Sequence, residues 1–283
     1  VTVRSYFLPR TLPEALGLLD AHGPELLVMA GGTVAMPLVN DGISLPGMVM
    51  GLRLAGLEGI RRDGDTLRIG ATATLTQLLE QDAVPMLREA ARNTASWPVR
   101  NLATVGGNLF TPPPGGDVAV ALLALDASLV LASVRGERVL PLVEFWTGFL
   151  GTELAADELL VEIRVAIGSE PTAYRKLGRK HANTPAVVTV AVRLAWDGDR
   201  VADARVSLGA VGPHPIRVRR AEGLLVGTSL GTDAIAAAAA AAAEDCEPFT
   251  DAVATAWYRR RMARLFVGRA LEQLVPRSVH EGR

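Results

Sequence analysis

The sequence predicts an α+β fold in two domains, and three observations carry that expectation. Roughly the first sixty residues alternate short helix-like and strand-like segments, each closed by Gly or Pro. The last third changes grammar, with two long β-branched or alternating runs joined at Asp197-Gly198 and followed by two helices. Between these regimes, Gly168 to Pro171 interrupts two strand-like runs and marks the expected boundary. The division is therefore 1–168, itself read as subdomains 1–58 and 59–168, followed by 169–283.

The elements can be justified in chain order. Thr11 is placed to cap a helix beginning Leu12-Pro13-Glu14, with Leu12, Ala15, Leu16 and Leu19 as its apolar stripe. Gly23 and Pro24 end it, and Leu26 to Ala30 reads as a buried strand running straight into Gly31-Gly32-Thr33. Arg61 to Asp65 looks like a hairpin turn ahead of a strand at Leu67 to Ile69. Thr74 is a cap for a helix through Leu79, and a second helix covers Met86 to Asn93. Thr104 to Gly116, rich in Gly and Pro, reads as a loop before a helix over Val118 to Leu125. A hairpin follows, Ser128 to Val134 and Arg138 to Leu140 around Arg135-Gly136-Glu137. In the last third, Ala186 to Trp196 and Val201 to Val211 are strands. Thr232 caps a helix holding the alanine tract Ala236 to Ala243, whose high helix propensity and small volume suit close packing. The final helix presents Tyr258, Met262, Leu265, Phe266, Ala270 and Leu274 as its apolar face.

Composition narrows the function. Of 283 residues, 49% are hydrophobic and 21% charged, enough to bury a core. Lys+Arg (29) and Asp+Glu (30) nearly cancel, which argues against a nucleic-acid binder. The single cysteine, Cys246, excludes an intrachain disulfide and a cysteine-ligated cluster in this chain. His22, His181, His214 and His280 are scattered, with no metal-ligand spacing. No apolar run reaches the ~18–20 residues of a membrane span, and the first ten residues lack a signal-peptide core, so the expected compartment is the cytoplasm.

Chemistry concentrates in two glycine loops. The first is Ala30-Gly31-Gly32-Thr33-Val34, directly after a buried strand. The second is Thr104-Val105-Gly106-Gly107-Asn108, with Pro114-Gly115-Gly116-Asp117 downstream. Glycine permits a positive φ and close backbone approach, so consecutive N–H groups can converge on an anion such as a diphosphate. Thr33, Thr104 and Asn108 add side-chain donors, and Asp117 is an acceptor suited to sugar or ribityl hydroxyls. Taken singly, each Gly-Gly pair reads as a tight turn. Neither loop matches G-x-G-x-x-G or the phosphate loop G-x-x-x-x-G-K-[ST], so a Rossmann fold is disfavoured.

Together, the loops and their surroundings resemble the FAD-binding medium subunit of the xanthine dehydrogenase and carbon monoxide dehydrogenase family, the molybdenum hydroxylases. Ala30 to Pro37 resembles that family's A-G-G-[TH]-x-x-x-P, and Arg100 to Asn108 its R-N-x-A-T-[VI]-G-G-N, with P-x-x-D at Pro114 to Asp117. Glu158 to Ile163 is similar to its E-x-L-x-x-I element, and Tyr174 to Lys180 to its F-x-K-x-x-R-R stretch. Asp126 to Leu131, Ala204 to Ile216 and Ala256 to Leu271 extend the likeness over almost the whole chain. Two departures stand out. Pro113 replaces an acid that often precedes the proline, and Asn183 stands where the family has an acid after its R-R pair.

The resemblance implies a two-subdomain FAD-binding domain of the PCMH type, then a C-terminal sheet–helix domain like that of the carbon monoxide dehydrogenase flavoprotein. It implies cofactor contacts at Ala30, Gly31, Gly32, Thr33, Val34, Thr104, Gly106, Gly107, Asn108, Asp117, Leu160 and Lys176. It also implies an oxidoreductase complex with a division of labour. A large subunit holds a molybdenum cofactor and a small one carries two [2Fe–2S] clusters, the whole assembling as a dimer of heterotrimers. This chain would pass electrons from a cluster through FAD to an external acceptor, with no catalytic side chain and no metal of its own. The alternative is a self-contained FAD-dependent oxidase or reductase, which would need an acid or base aimed at the flavin. No His or Cys lies in either loop to link the flavin covalently.

Other residues admit two readings each. Phe110 either packs near the flavin or fills core; Lys176 either faces the cofactor or ends a strand in solvent. Leu160 contacts cofactor or is simply β-core, and His181 is read as a solvated loop residue. The run Arg259-Arg260-Arg261 is read as a solvated face rather than a partner site.

Overall fold

A computed structural model describes residues 3–180 and 183–276. His181 and His280 lie outside the described residues, and the expectation for His181 goes with them.

The chain opens with β1 (Ser5–Phe7), α1 (Leu12–His22), β2 (Leu26–Met29), α2 (Ala35–Asn40) and β3 (Met48–Gly51). These form a three-stranded sheet in the order β1-β3-β2, all parallel. Thr11 caps α1 by accepting from the Glu14 N–H, and Gly23 closes the helix at φ 50°.

Next come β4 (Ile60–Asp63), β5 (Thr66–Gly70), α3 (Leu75–Glu80), α4 (Pro85–Asn93), α5 (Trp97–Arg100), α6 (Val105–Leu109), α7 (Asp117–Ala124), β6 (Ser128–Ser133), β7 (Gly136–Pro141) and β8 (Leu159–Ala166). Their strands make a five-stranded antiparallel sheet, β4-β5-β8-β6-β7. Arg61 and Arg62 belong to β4 rather than to the turn, which is Gly64-Asp65 with Gly64 at φ 58°. Thr74 and Gln77 form a capping box on α3.

The third group is β9 (Thr172–Gly178), β10 (Ala186–Asp197), β11 (Arg200–Gly209), β12 (Ile216–Arg217), α8 (Arg219–Leu225), α9 (Thr232–Glu244) and α10 (Ala256–Glu272). It builds a four-stranded antiparallel sheet, β12-β11-β10-β9, with the helices packed on it.

The period-2 alternation of strands explains how the layers join. The five-stranded sheet is apolar on both faces. Leu159 and Val161 of β8, with Val130 and Ala132 of β6, share a core with α1 and β3. Leu160, Ile163 and Val165, with Leu129 and Leu131, face the opposite core beneath α3, α4 and α7. β10 is used the same way: Val188, Val190, Val192 and Leu194 pack under the C-terminal helices, whereas Ala191 joins the α7 core. Ion pairs tie the same junction, since Asp126 beyond α7 meets Arg193, Arg205 and Arg217 of the four-stranded sheet. Burial pushes the Asp126 carboxyl up, but Arg205 and Arg217 outweigh it and hold it below the ordinary range.

Of two expectations about the C-terminal helices one fails and the other holds in part, since Ala270 and Leu274 are buried and Met262 and Phe266 pack against the core. Thr232 is the first helical residue of α9, and Gly231 is the N-cap. On α10 the buried face is Arg259, Ala263, Val267, Ala270 and Leu271, while Tyr258 and Leu265 are exposed. α9 and α10 approach through small residues, with Ala239 Cβ 4.0 Å from where a Cβ on Gly268 would stand. Close backbone contact therefore wins over the larger apolar side chains, which lie at the rim.

Arg259 also corrects the reading of the arginine run as solvated. Its side chain is fully buried, and its Nη1 donates to the Ala186, Val187 and Ala210 carbonyls, each at 3.0 Å. Its Nη2 reaches Asp251 at 2.8 Å, and the guanidinium lies 4.7 Å over the Phe249 ring. Arg260 and Arg261 do face outward.

Candidate cofactor site

A cavity of about 710 Å³ opens where the three layers meet, within the range of small-molecule and cofactor sites. Every expected cofactor residue lines it. Ala30, Gly31, Gly32, Thr33 and Val34 come from the β2–α2 turn. Thr104, Gly106, Gly107, Asn108 and Asp117 come from α6 and its surroundings, Leu160 from β8 and Lys176 from β9. Phe110 lines it too, 42% exposed and edge-on to Phe145 at 5.4 Å. Sequence reasoning missed Thr72, Thr94, Ala95, Val99, Ser44 and Leu154, which complete the walls without any motif to announce them.

The two glycine loops are built differently, and the second corrects the reading of it. Thr104 to Gly116 is not an uninterrupted loop, because Val105–Leu109 is a short helix capped by Thr104. The Thr104 Oγ1 accepts from the Gly107 N–H at 3.0 Å. The Val105 N–H donates to the Ala73 carbonyl at 2.8 Å, and the Gly106 N–H to that of Ala71 at 3.0 Å. The Asn108 N–H is also satisfied, and its side-chain Oδ1 accepts from the Ala119 N–H at 3.0 Å. Neither Gly106 nor Gly107 has a positive φ. Gly106 is required for close approach instead, since a Cβ there would stand 2.6 Å from the Ala71 carbonyl oxygen. The amides of this segment therefore hold the protein together rather than pointing unbonded at an anion.

The first loop carries the unbonded amides. Among the described residues, the N–H groups of Gly31, Gly32, Thr33, Val34 and Ala35 find no acceptor; intramolecular bonding resumes with the Met36 N–H to the Gly32 carbonyl at 2.9 Å. Gly32 sits at φ 68°. At Gly31 a Cβ would lie 1.8 Å from the Leu102 carbonyl oxygen, so only glycine lets the two loops meet. Five consecutive N–H groups beside an apolar cavity fit a diphosphate, whose charge needs donors more than it needs counter-charge.

Counter-charge is scarce. Lys176 is the one cationic side chain lining the cavity among the described residues. It is buried rather than a solvated strand end, with Nζ 2.7 Å from Asp117 Oδ2 and 2.9 Å from the Asn93 carbonyl. The other Asp117 oxygen accepts from the Thr189 hydroxyl at 2.9 Å. Burial pushes the Asp117 carboxyl above its ordinary range, against the pull of Lys176 and Thr189. Each carboxylate oxygen retains a second lone pair, so Asp117 can still accept from a ligand hydroxyl. The second acid in the wall, Glu158, is held by Arg138 at 2.6 and 2.7 Å, and that bond keeps it below the usual carboxylate range. No cluster of His, Cys, Asp and Glu able to hold a metal occurs among the described residues. None of its described helices is long and apolar enough to cross a membrane.

Comparison with known proteins agrees with this geometry. Residues 2–166 match the FAD binding domain in molybdopterin dehydrogenase, and residues 172–274 match the CO dehydrogenase flavoprotein C-terminal domain. The chain is 32% identical to the caffeine dehydrogenase subunit beta of Pseudomonas sp. strain CBB1, covering 99% of this chain and 97% of that one. It is 34% identical to the carbon monoxide dehydrogenase medium chain of Hydrogenophaga pseudoflava, over 94% and 95% of the two chains. The solved structure of carbon monoxide dehydrogenase from Hydrogenophaga pseudoflava superposes with a TM-score of 0.92 at 33% identity, covering 96% of each chain. That of CO dehydrogenase from Oligotropha carboxidovorans gives 0.91 at 31% identity, over 95% of this chain and 96% of that one. The chain thus belongs to the FAD-binding medium subunits of the molybdenum-containing dehydrogenases, the oxidoreductase family of carbon monoxide and xanthine dehydrogenases.

Proposed function

We propose that this chain is the flavin stage of a multi-subunit dehydrogenase, receiving electrons from a [2Fe–2S] subunit and delivering them to an external acceptor. A large molybdenum-cofactor subunit would oxidise the substrate, and the assembly would be a dimer of heterotrimers in the cytoplasm. The single observation that carries this reading is the cavity, with five unbonded amides on one wall and, among the described residues, no acid in the wall without a bonded partner. Bound FAD supplies the redox chemistry; the protein's task is to hold it, orient it and set its surroundings.

The residues divide that task. The amides of Gly31 to Ala35 hold the diphosphate. Asp117, kept in place by Lys176 and Thr189, accepts from sugar or ribityl hydroxyls. Leu160 and the other apolar wall residues exclude water from the ring, and Thr104, Gly106, Gly107 and Asn108, their own amides already bonded, form a further stretch of the wall. The three segments 1–58, 59–168 and 169–283 all contribute, so the cofactor closes the joint between them. A self-contained oxidase would need an uncommitted proton carrier at the cavity. Asp117 and Glu158, the acids in the wall, are bonded to Lys176 and Arg138. Docking is favoured by large apolar side chains left in solvent, including Trp97 at 64%, Phe149 at 65% and Leu150 at 62% exposure.

Affinity purification of the native complex through this chain tests the reading. Flavin, iron and molybdenum should co-purify in fixed proportion. A yellow protein free of both metals that turns over a small organic substrate unaided would establish the self-contained oxidase instead.

A further inference from the structure

An α-helix leaves its last carbonyls without intrahelical donors, and other groups have to bond them. At the end of α4 each is met. Thr94 takes two, its N–H bonding the Ala91 carbonyl at 3.1 Å and its hydroxyl that of Ala90 at 2.8 Å. The Asn93 carbonyl accepts from Lys176 Nζ at 2.9 Å. Arg100, at the end of α5, supplies the rest from one nitrogen. Its Nη1 donates to the Thr94 and Ala95 carbonyls at 2.9 Å each, and over a longer 3.4 Å to that of Arg92. The guanidinium lies 5.8 Å over the exposed Trp97 ring.

Two features set this corner apart from an ordinary helix end. Thr94 and Ala95 line the cofactor cavity, together with Val99 of α5. Ala95 also stands at φ 51°, a left-handed conformation that an alanine keeps only where its surroundings impose it. Unlike Asn or Asp, it has no polar side chain to steady such a turn from within. The constraint therefore comes from outside. The carbonyls of the two peptides flanking its Cα, that of Thr94 and its own, are the two that Arg100 holds at 2.9 Å.

We propose that Arg100 is a positioning residue for the cofactor. By gripping both peptides around Ala95, it holds the left-handed corner that shapes one wall of the cavity and sets the Asn93 carbonyl against Lys176. This rests on the flavin reading above and goes beyond it, since Arg100 itself does not line the cavity. With the guanidinium gone, Ala95 relaxes toward the right-handed or extended regions open to any residue. Thr94 and Ala95 then leave the wall, and Lys176 loses the carbonyl that steadies it beside Asp117. A glycine at position 95 would remove the strain, because it takes a positive φ freely.

The experiment uses the full chain stripped of flavin. FAD titrations and urea unfolding compare wild type, Arg100→Ala and the double variant Arg100→Ala with Ala95→Gly, each titrated where its urea curve shows it folded. Arg100→Ala should bind FAD about tenfold more weakly, the effect of losing charge-assisted bonds to the corner. Adding Ala95→Gly should recover about two- to fivefold of that loss. An arginine that only stabilises the fold would shift the urea midpoint, leave the affinity of the folded chain alone and give glycine nothing to restore. Should Arg100→Ala fail to fold, Arg100→Gln, which can still donate to one carbonyl, carries the same comparison with and without Ala95→Gly. Unchanged FAD affinity, or a loss that Ala95→Gly does not relieve, overturns the proposal and leaves the flavin reading standing. A wild-type chain that takes up no FAD at all would sink the flavin reading, and the role of Arg100 with it.

Discussion

Gly31→Ala should weaken FAD binding by roughly tenfold to a hundredfold. The added Cβ would stand 1.8 Å from the Leu102 carbonyl oxygen, 2.7 Å from its carbon and 3.2 Å from Ala103 Cα, all backbone atoms. No side-chain rotation relieves such a clash, so either the β2–α2 turn or the segment before Thr104 has to move. Overpacking of this kind costs about 1–3 kcal/mol. Here the displaced backbone is the one that presents the unbonded amides, so the cost falls on cofactor affinity. A loss of roughly tenfold to a hundredfold follows from that energy. The matching change in the second segment should be milder. A Cβ on Gly107 would meet only the Thr104 hydroxyl, at 2.8 Å, a side-chain group that can give way at the cost of its cap bond to the Gly107 N–H. FAD titration of Gly31→Ala and Gly107→Ala decides the order. Should Gly107→Ala lose the flavin while Gly31→Ala keeps it, the division of labour between the loops is wrong.

Arg259→Leu should be the most damaging single change to stability. It strips bonds from the Ala186, Val187 and Ala210 carbonyls and leaves Asp251 without its guanidinium partner. These carbonyls lie at one end of the β10–β11 ladder. Removing one member of a buried charged network costs about 3–5 kcal/mol, a large share of a domain's total stability. Arg261→Ala makes the contrast. Its guanidinium lies 5.5 Å over the exposed Trp257 ring, a contact worth about 0.5–1 kcal/mol. Chemical denaturation of the two variants should separate them by several-fold in lost free energy. Similar losses would mean that Arg259 is no more than a surface residue caught in a fold.

What could be read from the sequence was local. Thr11 and Thr74 announced their helices because an N-cap is decided within four residues. Asp197-Gly198 announced its hairpin because only the turn's own backbone is involved. That the two glycine segments meet at one cavity was legible because glycine pairs mark places where backbones come together. Their roles were less so. Thr104 is a cap on a helix with two glycines among its five residues, a composition that suppresses every helical signal. Thr104 and its glycines were therefore read as open loop, and the bonds that tie them to one another and to Ala71 and Ala73 went unforeseen. The Lys176–Asp117 pair joins residues 59 positions apart, beyond anything periodicity reports. Arg259 was misassigned because a run of three arginines resembles a solvated face, and its burial depends on three carbonyls from distant strand ends. On α10, large apolar residues outweighed small ones in the reading, while contact with an alanine-rich helix selects the small ones.

The most direct measurement is amide hydrogen exchange, followed on the flavin-free chain and again with FAD bound. Without FAD, the N–H groups of Gly31 to Ala35 have no acceptor and should exchange rapidly. Those of Val105 to Asn108 are already bonded and should exchange slowly in both states. FAD should slow the first group by roughly tenfold or more, as expected for amides newly bonded to a diphosphate, and leave the second group nearly unchanged. Protection gained at Val105 to Asn108, with Gly31 to Ala35 still exchanging freely, would contradict the account.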